Sequence, residues 1–137
     1  MQTISKEAMD EVTRSFGRCV ITKGFIDRFY ELFLNSHPEI APKFVNTEMT
    51  KQKRLLSDGI SFALQFAAGN PSGERNMAPM RKSHSRKRLN IEPRFYKYWT
   101  DALMQTVSEK DYKYNEILDK QWREALEIIV NYMVSGY

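Results

Sequence analysis

The residues best suited to chemistry lie in Met80-Arg81-Lys82-Ser83-His84-Ser85-Arg86-Lys87-Arg88, followed by the stretch from Leu89 to Trp99. His84 is one of two histidines in the chain. It stands with Met77 and Met80 at i, i+3 and i+7, a spacing that puts all three on one face of a helix. Arg81, Lys82, Arg86, Lys87 and Arg88 surround it. A neutral imidazole held this way is a good axial ligand for haem iron, and the flanking cations could pair with haem carboxylates. Taken alone, a helical histidine reads more simply as a core residue satisfied by a backbone carbonyl. The cations alone read as a solvated helix face, or as a docking patch for an acidic reductase or an anionic surface.

The elements that must position these residues are helical, because apolar residues recur at helical spacing nearly throughout and no segment alternates like a strand. Ser5 caps a first helix carrying Met9, Val12 and Phe16, which Gly17 loosens. A second helix spans residues 20–35. Its Phe25, Ile26, Phe29, Tyr30, Leu32, Phe33 and Leu34 wrap most of the circumference, as in a centrally buried helix. Ser36-His37-Pro38-Glu39 reads as a helix start with Ser36 as cap and Glu39 completing a capping box. A long helix over residues 50–68 carries Leu56, Ile60, Ala63 and Ala67 on one face and Leu55, Phe62 and Phe66 on a neighbouring stripe. The break at Gly69-Asn70-Pro71-Ser72-Gly73 leaves a short helix over 76–87 that bears His84. Helices over 93–109, with Tyr96, Trp99, Leu103 and Val107, and over 114–134, with Leu118, Trp122, Ala125, Ile129 and Tyr132, close the chain. The expectation is a single all-α domain over 1–137, of about seven helices.

With 137 residues, 42% hydrophobic and 28% charged, the chain can bury one core and has the composition of a soluble globular protein. No apolar run approaches the roughly 20 residues that span a bilayer, and no signal peptide is visible at the N-terminus. The single Cys19 cannot form an internal disulfide and fits a reducing, cytoplasmic setting. The net charge of +4 raises nucleic acid as a partner, but there is no zinc-finger spacing, no RNA-recognition aromatic motif and no short helix–turn–helix. Nucleic acid and membrane are therefore not expected partners.

The order of the elements is a long buried helix, a Pro-started corner, a long helix, a short histidine-bearing helix and two closing helices. Four segments resemble a bacterial single-domain globin over nearly the whole length. The stretch from Phe29 and Tyr30 through His37-Pro38-Glu39 to Phe44 resembles the second helix, corner and corner phenylalanine of bacterial globins. Gln52-Lys53-Arg54-Leu55-Leu56 resembles the distal-helix segment. His84 through Trp99 resembles the proximal histidine and the helix after it, and Trp122-Arg123-Glu124-Ala125-Leu126 the core of the final helix.

The resemblance implies a globin fold around haem b, with His84 as the proximal iron ligand and no histidine on the distal side; His37 would be a corner residue. Phe44 would pack against the haem. Tyr30 would turn its hydroxyl into the distal cavity, the alternative being a buried tyrosine bonded to a nearby carbonyl. Gln52 would donate a second hydrogen bond to the gas ligand and Leu56 would restrict the cavity. Because the loop after Phe44 is short, Lys51 or Lys53 could take the inward place of Gln52, and a deprotonated lysine could ligate the iron. Met80, Tyr96, Trp99 and Arg88 complete the implied haem contacts.

Two departures from the flavohaemoglobin pattern stand out. The segment from His84 to Pro93 is about two residues longer than in that pattern, which could displace Tyr96. The late glutamate that would polarise the imidazole has no counterpart, so a peroxidase-like electron push is not implied. The implied function is reversible binding of a diatomic gas (dioxygen, nitric oxide or carbon monoxide) by a monomer or homodimer. It extends to nitric oxide dioxygenation if a separate reductase returns the iron to the ferrous state. A stand-alone gas or redox sensor acting through a partner and a haem-free globin-like scaffold are the alternatives; the presence of His84 speaks against the scaffold.

Overall fold

Caps and buried faces account for each helix. The computed structural model describes residues 3–137, so Met1 and Gln2 of the N-terminal stretch lie outside the described residues. Ser5 caps α1 (Lys6–Val20), its hydroxyl oxygen accepting from the Ala8 amide at 3.1 Å. Gly17 does not loosen this helix. It is exposed, and the roughly 1 kcal/mol it costs relative to Ala is outweighed by the burial of Val12, Ser15 and Cys19 around it.

The second helix, α2 (Phe25–Leu34), begins later than residue 20 because Gly24, at φ 83°, breaks the chain between two helices. Thr22 closes the end of α1 by donating to the Arg18 carbonyl at 2.8 Å. Phe25, Phe29 and Tyr30 are buried, with Ile26, Leu32, Phe33 and Leu34 partly so.

The corner differs from the capping box expected. Ser36 donates backwards to the Phe33 carbonyl at 2.6 Å, closing α2, while the Glu39 amide donates to Nδ1 of His37 at 3.0 Å. The imidazole is the cap, and a 3-10 turn at Ala41–Phe44 follows instead of an α-helix. Glu48 caps α3 (Met49–Ala67), its carboxylate accepting from the amides of Thr50 and Lys51. Ile60, Ala63, Leu64 and Ala67 are buried, whereas Leu55 is 52% exposed and does not join the core stripe.

Helix α4 (Pro71–Ser83) starts five residues earlier than the apolar pattern suggested, with Asn70 as cap and Pro71 in the first turn. It packs on α3 through Gly73, where any Cβ would collide with the Phe66 backbone. A 3-10 turn at Pro93–Phe95 leads into α5 (Tyr96–Lys110), and Asn115 caps α6 (Glu116–Ser135).

Among the described residues the architecture is therefore six α-helices and two 3-10 turns, rather than seven helices. The most extensive packing pairs are α3 with α4, α2 with α5 and α1 with α6. Their shared core holds Val12, Phe29, Leu103, Met104, Val107, Trp122 and Leu126. None of these helices is long and apolar enough to cross a membrane.

One polar cluster crosses this core. Asp111, at the end of α5, accepts from Arg18 Nε at 2.6 Å and Nη2 at 2.9 Å, from Ser15 Oγ at 2.6 Å and from the Lys113 amide at 3.0 Å. Ser15 Oγ in turn accepts from Trp122 Nε1 at 2.8 Å. Burial opposes the Asp111 charge, yet Arg18, Ser15 and the Lys113 amide together hold its carboxyl below the usual carboxylate range. Burial, reinforced by the Asp111 charge, pushes the neighbouring Cys19 thiol up to about 12.

Candidate functional site

His84 is the C-cap of α4 rather than a residue inside it. Its Nδ1 lies 2.7 Å from the Met80 carbonyl and 3.1 Å from Ser83 Oγ, and Ser83 Oγ itself donates to the same carbonyl at 2.9 Å. A carbonyl can only accept, so Nδ1 carries the hydrogen and Nε2 keeps its lone pair. Nε2 has no protein partner among the described residues. Burial lowers the imidazole below the ordinary histidine value, with the Met80 bond acting in the opposite sense. The ring is thus neutral near pH 7, fixed on one side and open on the other.

Met80, four residues back, approaches α3 at Gly59. A Cβ on Gly59 would sit 3.4 Å from the Met80 sulfur, an ordinary contact. Pro79 lies within α4, five residues before His84, and removes one backbone donor from that turn.

A second group of candidate residues joins α2 to α3. Gln52 Nε2 donates to the Tyr30 hydroxyl at 3.3 Å, across 22 positions of sequence. Tyr30 is buried, which raises its phenol above the usual range while the Gln52 bond lowers it. The hydroxyl oxygen accepts from Gln52, and its own hydrogen meets no acceptor among the described residues. Phe44 is half-buried and meets both Tyr30 and Phe33 edge-on at 6.1 Å. Leu56 lies one turn beyond Gln52 and is packed on the core.

The lysines flanking Gln52 turn elsewhere. Lys53 Nζ pairs with Asp27 at 2.9 Å, and Lys51 is exposed. Trp99 reaches the same region through Phe29, ring to ring at 5.9 Å. Tyr96 packs against the core, makes no hydrogen bond among the described residues, and is pushed by burial to about 12.

The basic cluster divides in two. Arg81 is committed to α6, donating to the Tyr132 carbonyl and Ser135 Oγ. Lys82, Arg86, Lys87 and Arg88 are exposed, and no ion pair holds any of them among the described residues. His37 sits at the corner against Phe95 and Tyr98, remote in role from the His84 ring.

The structure therefore brings Gln52 and Phe44 each against Tyr30 and places Met80 and His84 on one turn. It leaves the Arg88 side chain at the surface, with no ion pair among the described residues. Sequence reasoning missed Ser83 and Gly59. The first was visible as a hydroxyl residue adjoining the histidine; the second was a lone glycine inside an otherwise regular helical pattern.

No protein-family model matches the chain, and no curated protein does. Among solved structures, a Pseudomonas aeruginosa PAO1 protein described as structurally highly homologous to a human hemoglobin is similar, at a TM-score of 0.90 and 38% sequence identity. The match covers 95% of this chain and 98% of that one. Identity at that level, sustained over both chains and joined to the helix order and corner described above, shows that the chain belongs to the bacterial globin-like proteins.

Proposed function

We propose that the protein is a haem-binding globin that reversibly takes up a diatomic gas, with His84 as the iron ligand. The observation that carries this reading is the His84 ring, whose Nδ1 is tied to the Met80 carbonyl while Nε2 has no partner among the described residues. The donor set fits haem better than a bare ion. Among the described residues no three His, Cys, Asp or Glu side chains gather as a metal site. A single imidazole suits an iron that arrives with a macrocycle's four nitrogens already bound. Haem b, when bound, supplies an iron centre able to take dioxygen, nitric oxide or carbon monoxide.

The chain's own residues have separable tasks. The Met80 carbonyl and Ser83 keep the imidazole in the Nδ1–H tautomer and fix its rotation. On the other side, Tyr30 offers its uncommitted hydroxyl hydrogen and Gln52 its second amide hydrogen to a polar ligand atom. Both are neutral donors, so they favour a ligand that carries partial negative charge and slow its departure. Phe44 and Leu56 supply apolar wall. Arg88 and its exposed neighbours would meet the haem carboxylates, each exposed pair adding at most about 1 kcal/mol.

Slow release suits scavenging better than transport. Consumption of nitric oxide with dioxygen to give nitrate, using one electron per turnover from a separate reductase, extends the same proposal, as does a cytoplasmic location.

Titration of the purified protein with haemin tests it. Saturation at one haem per chain, and a reduced five-coordinate spectrum that shifts with carbon monoxide, is the expected result, and both should be lost in His84→Ala. Absence of stoichiometric haem binding would sink the function and leave the fold.

A further inference from the structure

His84 ends its helix, so the direction in which the ring leaves depends on what holds the residues either side of it. Both sides are fastened to the end of the chain around α6: the helix side to its last turn, the loop side to Tyr137 just beyond it. On the helix side, Arg81 Nε donates to the Tyr132 carbonyl at 3.0 Å and Nη2 to Ser135 Oγ at 3.1 Å, with the guanidinium 5.0 Å from the Tyr132 ring centroid. The Arg81 stem crosses Gly136 so closely that any Cβ there would overlap it. On the loop side, the Arg86 amide donates to the Tyr137 carbonyl at 3.2 Å, and the Arg86 guanidinium stands 4.7 Å from the Tyr137 ring centroid. The Tyr137 hydroxyl donates to Asn90 Oδ1 at 2.6 Å.

Asn90 is what makes this last contact informative. At φ 53° it is the non-glycine residue with left-handed backbone among the described residues. Asn tolerates that conformation better than most residues, but it does not prefer it without support. With Asn90 so turned, the loop folds back on the helix end. The Leu89 amide then reaches the Ser83 carbonyl at 3.0 Å, the Asn90 amide the Ser85 carbonyl at 2.9 Å and the Ile91 amide the His84 carbonyl at 3.1 Å.

We infer that Tyr137 is a positioning residue for His84: its hydroxyl locks Asn90, and the loop so held joins the Arg81 contact in fixing the direction of the imidazole. The inference deepens the haem reading and rests on it for its purpose, while the clasp itself belongs to the chain alone. Tyr137 and Arg81 touch neither His84 nor its free nitrogen; they act through the two backbone segments that flank it.

The Tyr137→Phe variant keeps the ring and its stacking with Arg86 and removes only the hydroxyl. In haem-free, nitrogen-15-labelled protein we expect amide exchange at Asn90 and Ile91 to accelerate about tenfold. The His84 ring nitrogen resonances should shift, while the melting temperature and the exchange of α1 and α5 stay unchanged. Asn90→Gly, which keeps the backbone turn and loses the acceptor, should reproduce the ring shift. In the haemin-loaded, reduced variant the iron–imidazole stretching band should move or broaden.

Unchanged His84 resonances in both variants would overturn the inference. So would exchange accelerated throughout the chain, which marks a structural contact and no more. If haemin fails to bind the wild-type protein while the haem-free signals move as expected, the clasp stands and the haem reading alone falls.

Discussion

Two polar sites lie in this bundle, one buried and one half-buried, and they are finished to different degrees. At the junction of α1, α5 and α6, Asp111 accepts four hydrogen bonds from three residues, and Ser15 links it to Trp122. Between α2 and α3, Tyr30 and Gln52 share one long bond, and at the end of α4 one nitrogen of His84 has no partner among the described residues. Among the described residues no buried side-chain nitrogen or oxygen lacks a partner, and His84 and Gln52 are half-buried, so the uncommitted groups of the second site sit where solvent or a ligand can meet them at little cost. The saturated cluster holds the helices together. The other leaves donors and a lone pair uncommitted among the described residues, which is what the proposed ligand site requires.

The sharpest break of this contrast is Asp111→Ala. Removing the carboxylate strands the Arg18 guanidinium, whose side chain is only 15% exposed, and should cost about 3–5 kcal/mol. Chemical denaturation of the haem-free variant would show this as a lower midpoint at unchanged slope, and haemin stoichiometry should stay at one. A loss of haemin binding without a loss of stability would reverse the assignment of the two sites.

Tyr30→Phe should do the opposite. The hydroxyl has only the 3.3 Å bond to lose, so stability should change by less than about 1 kcal/mol. Stopped-flow dissociation of oxygen should accelerate about tenfold to a hundredfold, the kinetic worth of one good hydrogen bond to a partly charged ligand. Unchanged oxygen release would remove Tyr30 from the site.

Acid separates the sites by pH. The His84 value is lowered on folding from 6.5, so the unfolded chain takes up that proton first and stability falls as pH drops from 6.5 through the lowered value. Asp111 is lowered from 3.8, so its contribution is full above 3.8 and is lost only below it. The difference in unfolding free energy between wild type and His84→Ala should therefore vary with pH just below 6.5 and be flat above it. A difference that varies instead between pH 7 and 9 would contradict a neutral buried ring.

The smallest effect is expected of Lys53→Gln, which breaks a largely exposed pair with Asp27 worth about 0–1 kcal/mol. The visible spectrum of the haemin-loaded protein should not change. A change from low-spin to high-spin would instead reveal Lys53 as an internal ligand.

What could be read from the sequence follows the range of the interactions involved. Helix identity came from local periodicity, and the cap read at Ser5 acts within one turn, as does Asn115, which the sequence reading does not single out. Errors arose where a single residue decides a boundary. Gly24 separates two helices that share one apolar pattern, and Pro71 begins α4 in a polar stretch with no apolar periodicity to announce it. At the corner the sequence reads as a cap at Ser36, and only the folded geometry shows that the His37 imidazole takes that place. The Asp111 cluster could not be foreseen, since its partners lie 93 and 96 positions away in sequence. Tyr30 and Gln52 are nearly as invisible to local reasoning; family spacing named them together, and the structure places them in contact.

Cys19 gives the saturated site a further use. With its thiol pushed up to about 12 and no exposed surface, only about one molecule in ten thousand carries the reactive thiolate at pH 8, and no reagent can reach it in the closed fold. Alkylation must wait until α1 lifts away from the helices that cover it. The rate of covalent modification therefore counts those openings one by one, making this single sulfur a built-in clock for the motion of the bundle.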